Sequence, residues 1–330
     1  MPNQSFKISS ENLESSLLEA YKKGATEFTL QDPSILGRKG KLLKFLQFVE
    51  KNCPSLFLTL PLSAEMLDMD VCRECSNLNC SIDIPFTGAE KGGTYLFDKK
   101  FYSRRAATLN NLGLVFGFQI DFACVPGDSV KLFRDRLNLA VELYPNHIDF
   151  PQLDSESLYP PPKPSATFST QDIKMTKDTA FACQVFYSWG RAVTWFLAVL
   201  KPLRMSADKF FRDFAEWQKL NSCGLDSGWN IDKASHKEIE KMQLSFLKFK
   251  YEEKQKSELF EVVSNVVRLN GALSRCYGEG EESLVDLSYN PDELLGGGAM
   301  EIQSFFDNSF MEKSRVKIYM GQDGAEYRYI

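Results

Sequence analysis

The feature that most constrains this chain is an alternation in its first half. Five short apolar stretches, about one βα unit apart, are separated by helix-like patterns. The stretches are residues 27–30, 55–60, 80–84, 114–122 and 147–150. Between them, Leu42, Leu46 and Val49, and later Phe133, Leu137, Ala140 and Val141, recur at the interval of a helix with one buried face. Ahead of the first stretch, Ser10 is placed to cap a helix carrying Leu13, Leu17 and Tyr21. That helix ends at Gly24, where a glycine accepts the left-handed backbone past the last turn. Parallel strands joined by right-handed helical crossovers are the natural outcome.

The series stops at Tyr159-Pro160-Pro161-Pro162-Lys163-Pro164, because four prolines in five positions forbid helix and central strand alike. A boundary is expected there, giving a partial βα barrel over 1–158 and a mainly helical domain over 159–330. Thr170 is expected to cap a helix towards Phe186, and Ser206 one towards Leu220. Residues 236–270 read as one long helix or two joined ones, and Gly296-Gly297-Gly298 as a flexible break. Residues 316–320 and 326–330 around Gly321-Gln322-Asp323-Gly324 read as a β-hairpin, since glycines supply the positive φ of a tight turn. The expected fold class is α/β: an incomplete TIM-like barrel of about five parallel strands, then a mainly α-helical domain ending in a hairpin.

Composition narrows the function classes. The 330 residues carry a formal net charge of −5, with 25% charged residues of both signs, so the basic footprint of a nucleic-acid partner is missing. The longest apolar run, 192–200, is far short of the roughly 20 residues that cross a bilayer, and Met1-Pro2-Asn3-Gln4 opens no signal-peptide core. No membrane association and a cytoplasmic location are expected. Eight cysteines lie scattered among apolar neighbours or in helix-like stretches, so reduced thiols are the default.

Several stretches resemble the radical S-adenosylmethionine enzymes, in particular the cobalamin-binding group whose barrel is followed by a helical domain. Leu114-Val-Phe-Gly-Phe-Gln-Ile-Asp121-Phe-Ala-Cys-Val-Pro126-Gly127-Asp128-Ser129 is similar to that family's fifth strand and its Pro-Gly-acid-hydroxyl turn. Leu143-Tyr-Pro-Asn-His147-Ile-Asp149-Phe resembles the sixth strand, and Glu27-Phe-Thr-Leu-Gln31-Asp32-Pro33 the second. Phe186-Tyr187-Ser188-Trp189-Gly190-Arg191 resembles an aromatic, glycine and arginine signature of the trailing domains. The resemblance covers roughly residues 10 to 220.

Two departures matter. The family's CxxxCxxC loop follows its first strand, which would lie before Ser10, and the nine residues there hold no cysteine. Cys72, Cys75 and Cys80 have the wrong spacing and lie between stretches resembling the third and fourth strands. Strand four also reads Ile84-Pro85-Phe86-Thr87, where the family has a glycine and a small polar segment. Three thiolates leave one iron open to chelate the sulfonium compound and cleave its carbon–sulfur bond. This chain is therefore expected to hold no iron–sulfur cluster and to make no radical alone. The resemblance implies S-adenosylmethionine as ligand, with cobalamin entering only through a partner.

Strand alternation gives a reading independent of the family. Gln119 and Asp121 share one face while Phe118, Ile120 and Phe122 share the other. The same parity separates Asp83 from Ile82 and Ile84, Thr29 and Gln31 from Phe28 and Leu30, and His147 and Asp149 from Ile148 and Phe150. In a helix-covered sheet the polar set faces the barrel interior. Gln31, Asp83, Gln119, Asp121, Gly127, His147 and Asp149 are thus the candidate ligand-binding residues, at the strand ends where such barrels place their sites. Buried carboxylates need partners. Either a cationic or polar small molecule occupies the interior, or the interior is wet and Arg104 or Arg105 pairs the acids.

Other motifs carry a structural reading beside a functional one. His147 with Asp121 and Asp149 has the donor types of a divalent-metal site, although two histidines in the whole chain favour hydrogen-bonded polar groups. Cys72 and Cys75 stand at a zinc-like interval without a second pair and read as helix residues. Pro126-Gly127-Asp128-Ser129 makes a turn and caps the next helix, and its amides are also placed to touch a ligand. Gly296-Gly297-Gly298 lacks the lysine and hydroxyl of a phosphate loop. Trp189, Trp195 and Trp217, with Phe186, Phe196, Phe210, Phe211 and Phe214, read as core rather than a substrate cage. The charged run 248–258 reads as a solvated helix face.

Three functions follow in order. The first is an auxiliary or split subunit that docks on a chain bearing the cluster or the cobalamin domain, because strand 27–30 would otherwise be an exposed edge unless residues 5–8 cover it. The second is a stand-alone, non-catalytic binder of S-adenosylmethionine or a related small molecule in the barrel. The third is a metal-dependent enzyme using the Asp/His interior.

Overall fold

The structure, a computed structural model, describes residues 8–92, 94–154, 159–322 and 324–330. The chain divides into two compact units, Met1–Ile120 and Asp121–Ile330.

In the first unit the expected alternation is present. Strands β1 (Glu27–Thr29), β2 (Phe57–Pro61), β3 (Cys80–Pro85) and β6 (Val115–Gln119) are parallel and alternate with α1 (Leu13–Lys22), α2 (Pro33–Leu36), α3 (Lys39–Asn52), α4 (Met69–Ser76) and α5 (Lys99–Asn111). With β7 (His147–Asp149), they form a parallel sheet of five in the order β1-β2-β3-β6-β7. The register sets Leu60 beside Ile82 and Ile82 beside Phe116. These apolar side chains are fully buried, as are Leu42, Leu46 and Val49 on the inner face of α3. The side chains between them, Thr59, Asp83 and Gln119, are only partly buried, so the parity read from the sequence holds.

Local chemistry shifts some boundaries. Helix α1 begins at Leu13 after a short 3-10 turn, Ser10–Asn12, and the cap of that turn is Ser9, not Ser10. Ser9 has the extended backbone a cap needs, and its hydroxyl accepts the Glu11 amide. Gly24 follows the helix at φ +94° as expected. Residues 5–7 of the stretch proposed to cover β1 lie outside the described residues. A small antiparallel pair, β4 (Ala89–Lys91) and β5 (Thr94–Leu96), was not expected. Cys72 and Cys75 are buried on α4, and Cys80 opens β3.

The second unit opens with α6 (Val130–Glu142) followed by β7, and the proline run 160–164 forms neither helix nor regular strand. Helix α7 (Thr170–Cys183) is capped by Ser169 rather than Thr170. Ser169 and Asp172 form a reciprocal capping box, which fixes the start one residue earlier than expected. The helix continues into a six-residue π stretch, Gln184–Trp189. Then come α8 (Phe196–Leu200), α9 (Ala207–Leu220), α10 (His236–Glu253) and α11 (Phe260–Glu279). Residues 236–270 are thus two helices, separated by a turn in which Gln255 has φ +55°.

The aromatic cluster is core. Phe186 stacks edge-on against Phe210 at 4.9 Å and Phe214 at 5.1 Å, while Phe196 lies parallel to Phe211 at 5.1 Å. Trp195 is 2% exposed, but Trp189 is 42% exposed and does not belong to this cluster. Most of the run 248–258 is exposed, as expected of a solvated face, but one charged residue in it is buried. Lys250 is 2% exposed, and its ammonium is held by Asp213 at 2.8 Å and by Glu253. After α12 (Pro291–Leu295), the three glycines lead into a 3-10 turn, Gly297–Met300, followed by α13 (Ile302–Asn308). The terminal hairpin is present as β9 (Ser314–Met320) and β10 (Ala325–Tyr329), joined on its other side by an unexpected strand, β8 (Ser283–Leu287).

Candidate functional site

In the first unit, β3 and β6 present Asp83 and Gln119 on the same face. Asp83 stands beside Gly117 and Gln119 beside Pro85, one two-residue step further along. Tyr102 closes the end of β3, its hydroxyl donating to the carbonyls of Pro85 at 2.9 Å and Thr87 at 3.2 Å. Gln31 lies past the end of β1 and is exposed.

In the second unit, Asp121 is buried with a partner that the sequence reading did not name. Arg136, on the inner face of α6 and 1% exposed, donates from Nη1 to Asp121 at 2.6 Å and from Nη2 to Asp128 at 2.8 Å. Arg104 and Arg105 were the expected cations. Arg104 instead donates to the Lys100 carbonyl one helical turn back, and Arg105 lies over the Phe101 ring at 5.2 Å. Asp128 also accepts the amides of Ala123 at 3.2 Å and Ser129 at 2.9 Å. Burial nevertheless pushes its carboxyl above the ordinary value, against the pull of Arg136 and those amides. Gly127 is exposed at φ +81°, and Ser129 caps α6 by accepting the Leu132 amide at 3.3 Å. The Pro-Gly-acid-hydroxyl turn therefore has the structural role read for it.

His147 and Asp149 come together on β7, with Nε2 and Oδ2 3.5 Å apart, and Gln184 of the π stretch donates to Asp149 at 3.4 Å. Both side chains line a cavity of about 460 Å³ within the second unit. Trp189, Arg191, His236 and Glu279 complete its polar and aromatic wall. Among the described residues no group of three His, Cys, Asp or Glu side chains is placed to hold a metal ion.

The cavity wall is built on the stretch Phe186–Arg191. Ser188 clasps the strand residue between His147 and Asp149, accepting the Ile148 amide and donating to the Ile148 carbonyl, each at 2.8 Å. Gly190 has no space for a side chain: a Cβ there would lie 2.1 Å from Gln243 Nε2 and 2.2 Å from the Phe186 carbonyl. Arg191 takes a left-handed backbone at φ +48°. Its Nη1 donates to the Ser274 carbonyl at 3.0 Å and hydroxyl at 3.2 Å, and its Nη2 pairs with Glu279. These bonds anchor the segment on the last turns of α11 and hold the unusual φ in place.

His236, the first residue of α10, is 7% exposed. Arg275 Nη1 lies 3.1 Å from its Nδ1, and because a guanidinium only donates, that nitrogen accepts. The ring hydrogen is then on Nε2, 3.3 Å from the Gly190 carbonyl. Burial, with the nearby charges of Arg191 and Arg275, lowers the imidazole pKa to about 4. Of the cavity residues, the sequence reading found His147 and Asp149 by strand parity. It reached Arg191 only through the family signature, took Trp189 from that signature but read it as core, and found Glu279 and the ring of His236 not at all.

The fold is thus α/β, with a five-stranded parallel sheet, a helical portion and a C-terminal antiparallel sheet. No protein-family model and no curated protein matches the chain. Among solved structures it is similar to the radical S-adenosylmethionine methyltransferase TsrM from Kitasatospora setae, determined with a tryptophan substrate and an S-adenosylmethionine analogue bound. That similarity has a TM-score of 0.36 and 12% identity, and spans 44% of this chain and 30% of the methyltransferase chain.

Proposed function

We propose that this chain is a radical-S-adenosylmethionine-like protein that holds no cluster of its own and acts as an auxiliary or split subunit beside a chain that carries one. The observation that carries this reading is the placement of the cysteines. Cys72 and Cys75 are buried on α4, with Cys80 buried at the start of the strand that follows, whereas a cluster loop follows a strand and presents its thiolates together. Burial pushes the Cys72 thiol above its ordinary value, which disfavours the thiolate an iron ligand must be. The reading is also supported by β1, which ends the sheet with no strand paired to its outer edge among the described residues. Cobalamin, in this reading, is bound by the partner.

The test is anaerobic iron and sulfide analysis of the chain alone and co-expressed with the products of neighbouring genes. Iron and sulfide in a co-purifying complex, and none in the lone chain, is the expected result. A cluster on the lone chain, or a chain that stays monomeric beside every cluster-bearing candidate, overturns the proposal.

A second reading, a stand-alone binder of S-adenosylmethionine or a related molecule, is favoured by the partial exposure of Asp83 and Gln119 at the strand ends. Gln31 in the first unit, and Asp121, Gly127, His147 and Asp149 in the second, remain its further candidates. Calorimetry with S-adenosylmethionine tests it. Absence of binding heat, or binding unchanged by Asp83→Asn, removes it.

A further inference from the structure

We infer that the cavity in the second unit is a binding site for a small organic cation, an ammonium group seated against the Trp189 ring with Asp149 as counter-charge. This inference rests neither on the subunit reading nor on a ligand at Asp83 and Gln119. Three observations on separate elements converge on it.

The first is the aromatic wall. Trp189 is the last residue of a π stretch, the wider turn that recurs at functional sites. It stays 42% exposed at a cavity while Trp195, six residues on, is 2% exposed in the core. An accessible indole is the preferred aromatic partner for an ammonium, worth about 0.5–2 kcal/mol.

The second is the charge balance. Two carboxylates, Asp149 and Glu279, face one guanidinium, Arg191. Of the two imidazoles, His236 is neutral near pH 7, with its pKa lowered to about 4. Among the described lining residues the charge is therefore net negative whenever His147 is uncharged.

The third is that the groups an anion would use are committed. Arg191 donates to Ser274 and Glu279. At the first turn of α10, the Glu238 carboxylate accepts the Ser235 amide at 2.7 Å while the Ser235 hydroxyl accepts the Glu238 amide at 3.3 Å. That capping carboxylate occupies the electrostatic place of an anion at a helix start. A cation at the indole leaves the bonds of Arg191 and of the Ser235–Glu238 cap in place and joins Gln184 and His147 around the Asp149 carboxylate.

The probe is choline, compared with its uncharged isostere 3,3-dimethylbutan-1-ol, titrated into the full-length chain at pH 7.5 with calorimetry and tryptophan fluorescence as readouts. Choline is expected to saturate, with half-saturation at or below about 10 mM, and to bind about tenfold or more tightly than the isostere. Trp189→Leu should weaken choline about 3- to 30-fold, and Asp149→Asn should weaken it with little effect on the isostere. Equal binding of choline and isostere, or no saturation by choline, overturns the inference. So does an unchanged affinity in folded Trp189→Leu. If either variant fails to fold, the comparison of the two probes on the unmodified chain decides alone.

Discussion

Ser188 grips Ile148 at both of its backbone groups, accepting the amide and donating to the carbonyl at 2.8 Å each. A side chain on the π stretch thereby does for β7, the last strand of the sheet, what a further strand would otherwise do. It also fixes His147 and Asp149, the residues on either side, at the cavity. Ser188→Ala leaves both backbone groups without this partner, and a loss of about 1–3 kcal/mol is expected. Urea denaturation measures it, and an unchanged midpoint would show that the clasp is dispensable.

Arg136 lies between two buried carboxylates, so its removal strands more charge than it takes away. Arg136→Met should cost about 3–5 kcal/mol. Adding Asp121→Asn and Asp128→Asn to that variant should recover a large part of the loss, because the uncompensated charges are gone. Thermal unfolding of the single and triple variants checks this, and a triple variant no more stable than the single would refute it.

Gly190→Ala places a methyl group into Gln243 and the Phe186 carbonyl, both closer than carbon contacts allow. Relief requires moving backbone, since the carbonyl belongs to the π stretch itself. A destabilisation of about 1–3 kcal/mol is expected, together with faster hydrogen exchange across residues 184–191. Wild-type exchange rates in the variant would contradict this packing.

His236 makes stability depend on pH in a defined window. Its folded pKa, about 4, lies below the ordinary 6.5, so as pH falls the unfolded chain takes up the proton first. The contribution is complete above pH 6.5 and is lost progressively towards pH 4, by an amount on the order of 3 kcal/mol. His236→Gln should flatten this part of the profile. Stability measured from pH 7.5 to 4 in both proteins checks it, and parallel profiles would assign the slope to other groups.

Much of the fold was legible because strand and helix periodicities are local. Ile82, Asp83 and Ile84 alternate by the pleat of one strand, and Leu42, Leu46 and Val49 repeat by the pitch of one helix. What escaped was short or long-range. The pair β4–β5 runs through Ala89-Glu-Lys-Gly-Gly-Thr-Tyr-Leu96, a stretch with no apolar alternation to register. Strand β8 meets β9 across a loop and two short helices, and its Ser283-Leu-Val-Asp-Leu287 gives no sign of its distant partner. Lys250 sits in a charged run, and beside its local partner Glu253 it is buried against Asp213, which comes from the distant α9.

The candidate site divides in the same way. Sequence alone determined that His147 and Asp149 share a strand face and that the 186–191 segment combines aromatics, a glycine and an arginine, because parity and composition are properties of neighbouring residues. Only the tertiary structure decided that Arg136 rather than Arg104 or Arg105 pairs Asp121, that Trp189 opens onto a cavity, and that Glu279 and His236 stand in the same wall. Those pairings bring together side chains up to 132 positions apart, as from His147 to Glu279. Charge and contact act through space, so which acid meets which base is settled only when helices and strands pack.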